Sequence, residues 1–312
     1  MGRDECIDNT IAKERQTPFL ITWTGLEANE KDSPLRLQEL STPLPDSAWS
    51  VQVGDCLDVM RGMSPESVDL VIGSPPYCGK MRRYIGGKDK PLTPKEWASW
   101  MADVVVASTR LSRGYAIFVV NGSVKAGQYN AACERLLVEC DDRGLLVERP
   151  VIWHKNAPPN RKDWFGNDWE YVLAFKDRAK PHVWNWEAIA TPPKFTNGGR
   201  FRQRTETGER RLGNEYPTGK LARPRDVHRC TVGGGHLGWA GASSNEAPYP
   251  LKLVEPFIKA LTNPGGIVLD PFSGSGSSIH AAVSLGRIGH GIDNRECQVE
   301  LTKARMLWLA TQ

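Results

Sequence analysis

Ile267-Val268-Leu269-Asp270-Pro271-Phe272-Ser273-Gly274-Ser275-Gly276-Ser277-Ser278 runs from a short β-favouring stretch through a glycine-rich loop into small hydroxyl residues that open a helix. Glycines in a strand-to-helix loop let the backbone approach a ligand closely, and the helix start points free N–H groups at it. That arrangement suits a phosphate or a carboxylate. The dinucleotide fingerprint requires a third glycine three positions after Gly276, where Ile279 stands. The phosphate-binding loop of nucleotide triphosphatases requires Gly-Lys-Ser/Thr, which is absent. NAD and ATP are therefore poor fits, and a carboxylate-bearing ligand is a better one.

Working outward, the pattern continues as α/β. A strand over 287–293 ends in Asp293, and a helix spans 296–309. Ahead of the loop, 251–261 has helical spacing, and Asn263-Pro264-Gly265-Gly266 makes a turn. Near the amino end, Trp49-Ser50-Val51-Gln52-Val53 alternates like a strand and runs into Gly54-Asp55. Further strands are expected over 68–72, 115–120, 147–153 and 169–175, with helices over 57–63, 95–111 and 128–140. Strands alternating with helices imply a mostly parallel sheet covered on both faces. Acidic residues at strand ends of such a sheet can accept hydrogen bonds from a nucleoside. Asp293 is placed to take ribose hydroxyls and Asp55 an adenine amine.

The second informative stretch is Val68-Asp69-Leu70-Val71-Ile72-Gly73-Ser74-Pro75-Pro76-Tyr77. Two prolines forbid continuation as strand or helix, so the chain makes a stiff corner. The corner offers a hydroxyl, carbonyls and an aromatic face, which can grip a flat ring bearing an amino group. Such an amine is a poor nucleophile because its lone pair is delocalised into the ring. The Ser74 oxygen and the Pro75 carbonyl can each accept one N–H and hold the nitrogen towards a tetrahedral shape, stabilising the cation that forms. Tyr77 can stack on the ring. No His or Glu adjoins the motif, so no dedicated strong base is expected.

Taken together and in this order, Ser74-Pro75-Pro76-Tyr77 and Asp270-Pro271-Phe272-Ser273-Gly274-Ser275-Gly276 resemble the amino-group DNA methyltransferases that use S-adenosyl-L-methionine, the N4-cytosine/N6-adenine family. The catalytic motif precedes the cofactor motif, as in the permuted (β-type) class. The resemblance covers roughly 49–177 and 246–310. It implies an α/β, Rossmann-like doubly wound methyltransferase sheet. Ser74 through Tyr77 would be catalytic, and Asp270, Pro271, Phe272, Gly274 and Gly276 would bind the cofactor with Asp55 and Asp293. Asn245-Glu246-Ala247-Pro248-Tyr249-Pro250-Leu251 resembles the segment lining the methionine pocket, adding Tyr249 and Pro250; the usual leading His is missing. Ser rather than Asp at the first catalytic position is the family's usual mark of cytosine N4 methylation; Asp or Asn more often goes with adenine N6.

Double-stranded DNA is the partner this implies, with a restriction–modification setting and a cognate restriction endonuclease as a second partner. Between Lys176 and Arg229 lie 13 Lys/Arg against 6 Asp/Glu, a net +7, leaving −3 for the rest of a chain of net +4. A basic block on a near-neutral body is the footprint of nucleic-acid contact. The expected organisation is an extension over 1–48, a catalytic part over 49–177, an irregular target-recognition insert over 178–245 and a cofactor part over 246–312. Candidate DNA contacts are Lys80, Arg82 and Arg83 beyond the corner, Arg161, and Arg200, Arg202, Arg204, Arg210, Arg211, Arg223 and Arg225 in the insert.

Competing readings remain open at this point: adenine-N6 methylation, an RNA or protein methyltransferase on the same fold, and an inactive DNA-binding module. A further one is C5 methylation of cytosine through a Cys78 thiolate activated by Lys80 or Arg82. Seven scattered cysteines, never spaced C-x-x-C, argue against disulfide or zinc frameworks. No apolar run approaches the ~20 residues that cross a bilayer, and no secretory signal opens the chain. A cytoplasmic setting without membrane contact is the expectation.

Overall fold

The computed structural model describes residues 48–79, 92–125, 127–155, 165–193, 200–215, 221–233, 237–245 and 247–312. The main sheet is built from β1 (Trp49–Val53), β2 (Leu70–Gly73), β3 (Ala116–Val120), β6 (Leu146–Val147), β7 (Val151–His154), β8 (Trp169–Lys176), β11 (Val227–Arg229), β12 (Ile267–Asp270) and β13 (Ile288–Asp293). Two small hairpins stand apart from it: β4 (Val124–Lys125) with β5 (Gln128–Tyr129), and β9 (Arg200–Arg204) with β10 (Arg210–Glu215). The helices are α1 (Cys56–Gly62), α2 (Pro94–Leu111), α3 (Ala132–Asp142), α4 (Leu251–Leu261), α5 (Ser277–Ser284) and α6 (Glu296–Leu309).

The strand order is β1-β13-β12-β2-β3-β8-β7-β11, with β6 also on β8. The five strands from β1 to β3 are parallel, while β8 runs antiparallel to β3 and β7. The central strands are apolar without polar alternation because both faces are covered. Leu70 and Ile72 of β2 pack into one core with Ile117, Val119, Leu253 and Ile258; Val71 packs into the other with Phe118, Trp97, Met101 and Leu136. One layer is thus α4 and α5, the other α1, α2 and α3.

β12 and β2 are neighbours although 198 residues separate Asp69 from Ile267. From β12 the chain winds one way to β13; from β2 it winds the other way to β3. Their shared carboxyl edge is a topological switch point, where α/β sheets open a ligand crevice. The junction is sewn at its foot. The Asp69 amide donates to the Ile267 carbonyl at 2.8 Å, and the Ile267 amide to the Asp69 carboxylate at 2.8 Å. At its head, Gly73 leaves room for Asp270: a Cβ at position 73 would lie 2.3 Å from Asp270 Oδ1.

Several expectations shift. Pro150 interrupts the strand expected over 147–153, which divides into β6 and β7. The helix expected from Gln128 begins at Ala132, because Gln128 and Tyr129 turn back on Val124 and Lys125. The segment 178–245 is not uniformly irregular: it holds the β9–β10 ribbon and supplies β11, which pairs with β7 in the main sheet. Of the extension expected over 1–48, residues 1–47 lie outside the described residues. No helix among the described residues is long and apolar enough to cross a membrane.

Gly73→Ala is expected to lower stability by about 1–3 kcal/mol, since the added methyl must displace an anchored carboxylate. Gly62→Ala, a helical position where nothing lies within 4 Å of the new methyl, is the control and should be neutral or stabilising by up to about 1 kcal/mol. Equal denaturation midpoints for the two variants would contradict this account of the β2–β12 junction.

Candidate active site

A cavity of about 270 Å³ opens at the switch point. Ser74, Pro75, Pro76 and Tyr77 form one wall, and Pro271, Phe272, Ser273, Gly274 and Ser275 another. Gly54, Asp55, Tyr249 and Asp293 line it as well, so the corner at 74–77 and the glycine-rich loop share one space.

The corner and the residue after it are pinned at four points, each from a different element. Ser74 donates its hydroxyl proton to the Val119 carbonyl at the end of β3, 2.9 Å away. Its oxygen therefore keeps lone pairs free to accept. The indole N–H of Trp97, fully buried in α2, donates to the Pro76 carbonyl at 2.9 Å. α2 itself starts cleanly there, with a Thr93/Glu96 capping box and proline at its first position. The Tyr77 hydroxyl donates to Glu170 at 2.6 Å, and Lys155 donates to the other oxygen of Glu170 at 3.0 Å. Ser123 donates to the Cys78 carbonyl at 3.2 Å. Among the described residues nothing donates to the Pro75 carbonyl. Ser74 and Pro75, both lining the cavity, thus each keep an oxygen with acceptor capacity to spare.

No His or Glu adjoins the motif in the sequence, but the fold sets Glu170 against the corner. It arrives from β8, 93 positions away. Cys78 overturns the thiolate alternative. It is 2% exposed, packs in the core, does not line the cavity, and burial raises its pKa rather than lowering it.

On the other wall the expected cofactor residues divide. Asp55, Tyr249, Pro271, Phe272, Gly274 and Asp293 line the cavity; Asp270, Gly276 and Pro250 do not. Asp270 is buried behind the loop, where its carboxylate takes the Phe272 amide at 2.9 Å and the Tyr249 hydroxyl at 3.2 Å. It shapes the turn. Gly276 has φ +75°, and a Cβ there would meet Thr302 of α6 at 2.9 Å, so helix packing rather than ligand approach demands glycine. Pro250 caps the start of α4. Asp55 caps α1, accepting from the Leu57 amide at 2.9 Å. Asp293 takes the Gly274 amide at 3.0 Å and so ties β13 to the loop.

Other lining residues gave no distinct signal in the sequence: Trp100, whose ring lies 6.0 Å from that of Phe272, together with Asn294 and Arg295. Arg305 acts from behind the loop. It is fully buried in α6 and donates to the Ser275 carbonyl at 3.0 Å, to the Ser277 hydroxyl at 2.9 Å and to the Leu237 carbonyl. Burial without a carboxylate partner among the described residues brings its pKa down to about 10.

The lining fits a zwitterionic nucleoside. The start of α5 offers amides for a carboxylate, Asp55 and Asp293 offer acceptors for hydroxyls and an amine, and Phe272 and Trp100 offer apolar faces between them. The Ser273 hydroxyl is buried without a partner among the described residues, a polar atom left over at this wall.

The basic candidates are less complete. Lys80, Arg82, Arg83 and Arg161 lie outside the described residues. Arg200, Arg202 and Arg204 alternate along β9, and Arg210 of β10 pairs with Arg204, Arg211 with Gln203. Arg223 lies over the Trp186 ring at 5.0 Å, and Arg225 is exposed.

Comparison with known proteins agrees with this architecture. The family described as DNA methylase (N6_N4_Mtase) matches residues 68–304. The DNA adenine methyltransferase YhdJ of Escherichia coli is 23% identical over 257 residues, 80% of this chain and 79% of that protein. The type II methyltransferase M.ScaI of Streptomyces caespitosus is 24% identical, over 81% of this chain and 79% of its own. Among solved structures, the cytosine-N4-specific PvuII DNA methyltransferase aligns with a TM-score of 0.62 at 19% identity, covering 83% of this chain and 86% of that one. TTHA0409 of Thermus thermophilus, described as a putative DNA modification methylase and solved with S-adenosyl-L-methionine, aligns at 0.53 and 22% identity, covering 83% and 93%.

Burial pushes the Asp270 carboxyl up to about 6 from 3.8. Between those values the folded chain holds more proton than the unfolded one, so this group's contribution to stability falls as pH rises through that window and is flat above it. Asp270→Asn removes the effect. Its melting temperature relative to wild type should therefore rise from pH 4 to pH 7; a gap that stays constant would contradict the burial.

Proposed function

The chain belongs to the N6/N4 DNA methylase family, and from that premise we propose that it transfers a methyl group from S-adenosyl-L-methionine to the exocyclic N4 amine of a cytosine flipped out of duplex DNA. The observation that carries the choice of base is Ser74. In this family's pattern a serine at the head of the corner goes with cytosine N4. Here its proton is parked on the Val119 carbonyl, leaving a neutral acceptor beside the Pro75 carbonyl.

Bound in the cavity, the cofactor supplies an electrophilic methyl group on a sulfonium. The chain's own residues do the rest. Ser74 and Pro75 accept the two N–H bonds of the amine and turn its lone pair towards the methyl. They do so without reorganising, because both oxygens are already fixed. Tyr77 stacks on the extruded ring and offsets part of the few kcal/mol spent on unstacking it. Phe272 and Trp100 exclude water from the cofactor side. Tyr249, Pro271, Gly274 and Asp293, with Asp55, hold the cofactor, and Asp270, Gly276 and Arg305 hold the loop that does so. The proton released from the nitrogen leaves to solvent.

The β9–β10 ribbon is the part of 178–245 that we assign to DNA. A two-stranded ribbon fits the major groove, and arginines are the side chains best suited to guanine edges and phosphates. YhdJ is named for adenine and the PvuII enzyme for cytosine N4, so relatives stand on both sides of the base question.

Three outcomes are expected. Nucleosides from plasmid DNA incubated with protein and cofactor should contain N4-methylcytosine; N6-methyladenine alone would overturn the assignment of the base. Ser74→Ala should lower kcat by about 10²–10³ through loss of one fixed acceptor, while cofactor binding measured by calorimetry stays within twofold. DNA binding should weaken by roughly tenfold or more between 50 and 200 mM salt; a flat response would remove the basic ribbon from the interface.

A further inference from the structure

We propose that Glu170, held by Lys155, is a positioning residue for the target base: its hydrogen bond to the Tyr77 hydroxyl sets the angle at which the Tyr77 ring meets the flipped ring. The proposal rests on the methyl-transfer reading above, but not on which base receives the methyl.

Three strand ends meet at this point. Tyr77 follows β2, Lys155 follows β7 and Glu170 sits at the start of β8, where Trp153 is its register partner on β7. The Glu170 and Lys155 side chains are 12% and 14% exposed. Each Glu170 oxygen has its own donor, Tyr77 at 2.6 Å and Lys155 at 3.0 Å. An ion pair this deeply placed is poorly explained by stability, since desolvating both charges offsets most of their attraction. A role in geometry explains its position. A phenol tethered only at Cβ can tilt, and stacking is sensitive to tilt. A phenol held also at its hydroxyl cannot. The Ser74 hydroxyl lies 3.5 Å from the Tyr77 hydroxyl, so any tilt also disturbs the acceptor that orients the amine. Neither Glu170 nor Lys155 lines the cavity, which separates their effect from cofactor binding.

The test is a double-mutant cycle on the full chain. Tyr77→Phe, Glu170→Gln and the double variant are compared for total methyl transferred to plasmid DNA from labelled cofactor, with kcat and KM for DNA read separately. Cofactor affinity is measured alongside by calorimetry. Each single variant should lose about tenfold in kcat with cofactor affinity within twofold, and the double variant should be no slower than Glu170→Gln alone. Tyr77→Phe at wild-type kcat, or losses that multiply to about a hundredfold in the double variant, would overturn the proposal. Should Glu170→Gln fail to bind cofactor, Lys155→Gln replaces it in the cycle with the same expected lack of additivity. Total methyl transfer is blind to the base, so N6-methyladenine as the product would end the cytosine reading and leave this test intact.

Discussion

Pairing between β2 and β12 brings together two pieces of chain that lie nearly 200 positions apart. Parallel neighbours deliver their following loops to the same edge of the sheet. Once Val71 lies beside Leu269, the corner at Ser74 and the loop at Pro271 must emerge side by side. The hydrogen bonds between Asp69 and Ile267 set the register at the foot of the pair. Gly73 sets the closeness at its head, because any side chain there would strike the Asp270 carboxylate. Slipping this pair would move one wall of the cavity along the other and flip alternate residues from one core to the other.

Rigidity then follows from where each pin originates. Val119, Trp97, Glu170 and Ser123 hold Ser74, Pro76, Tyr77 and Cys78 from β3, α2, β8 and the loop after β3. Fixed acceptors are worth most when they need not move to meet developing charge. The opposite wall is built on the same plan: Asp270, Arg305 and Thr302 hold the glycine-rich loop from behind. Asp270 and Arg305 hold the wall from outside the cavity, while Asp293 both lines the cavity and ties the loop.

Support from outside the cavity limits what could be read from the chain alone. Residues 251–261, 267–270 and 296–309 show their periodicity plainly, and the structure forms helix, strand and helix over those spans. The two motifs announce themselves because prolines and glycines impose local backbone geometry. Both walls of the cavity were legible for the same reason. Glu170, Trp97 and Arg305 were not. A glutamate in an apolar strand, a tryptophan at helical spacing and an arginine late in a helix carry no local sign of the partner that the fold brings to them. Asp270 and Gly276 were legible as motif members, yet the motif did not distinguish a residue that lines a pocket from one that shapes its wall. The β9–β10 ribbon has too few apolar residues to reveal a strand period, whereas the break between β6 and β7 was marked in the sequence by Pro150.

A crystal structure of the protein with S-adenosylhomocysteine bound tests the shared cavity most directly. Density for the nucleoside is expected between Tyr77 and Phe272, with its carboxylate towards the start of α5 and its sulfur facing Ser74. Ligand density elsewhere, or Tyr77 and Phe272 opening onto separate surfaces, would contradict it.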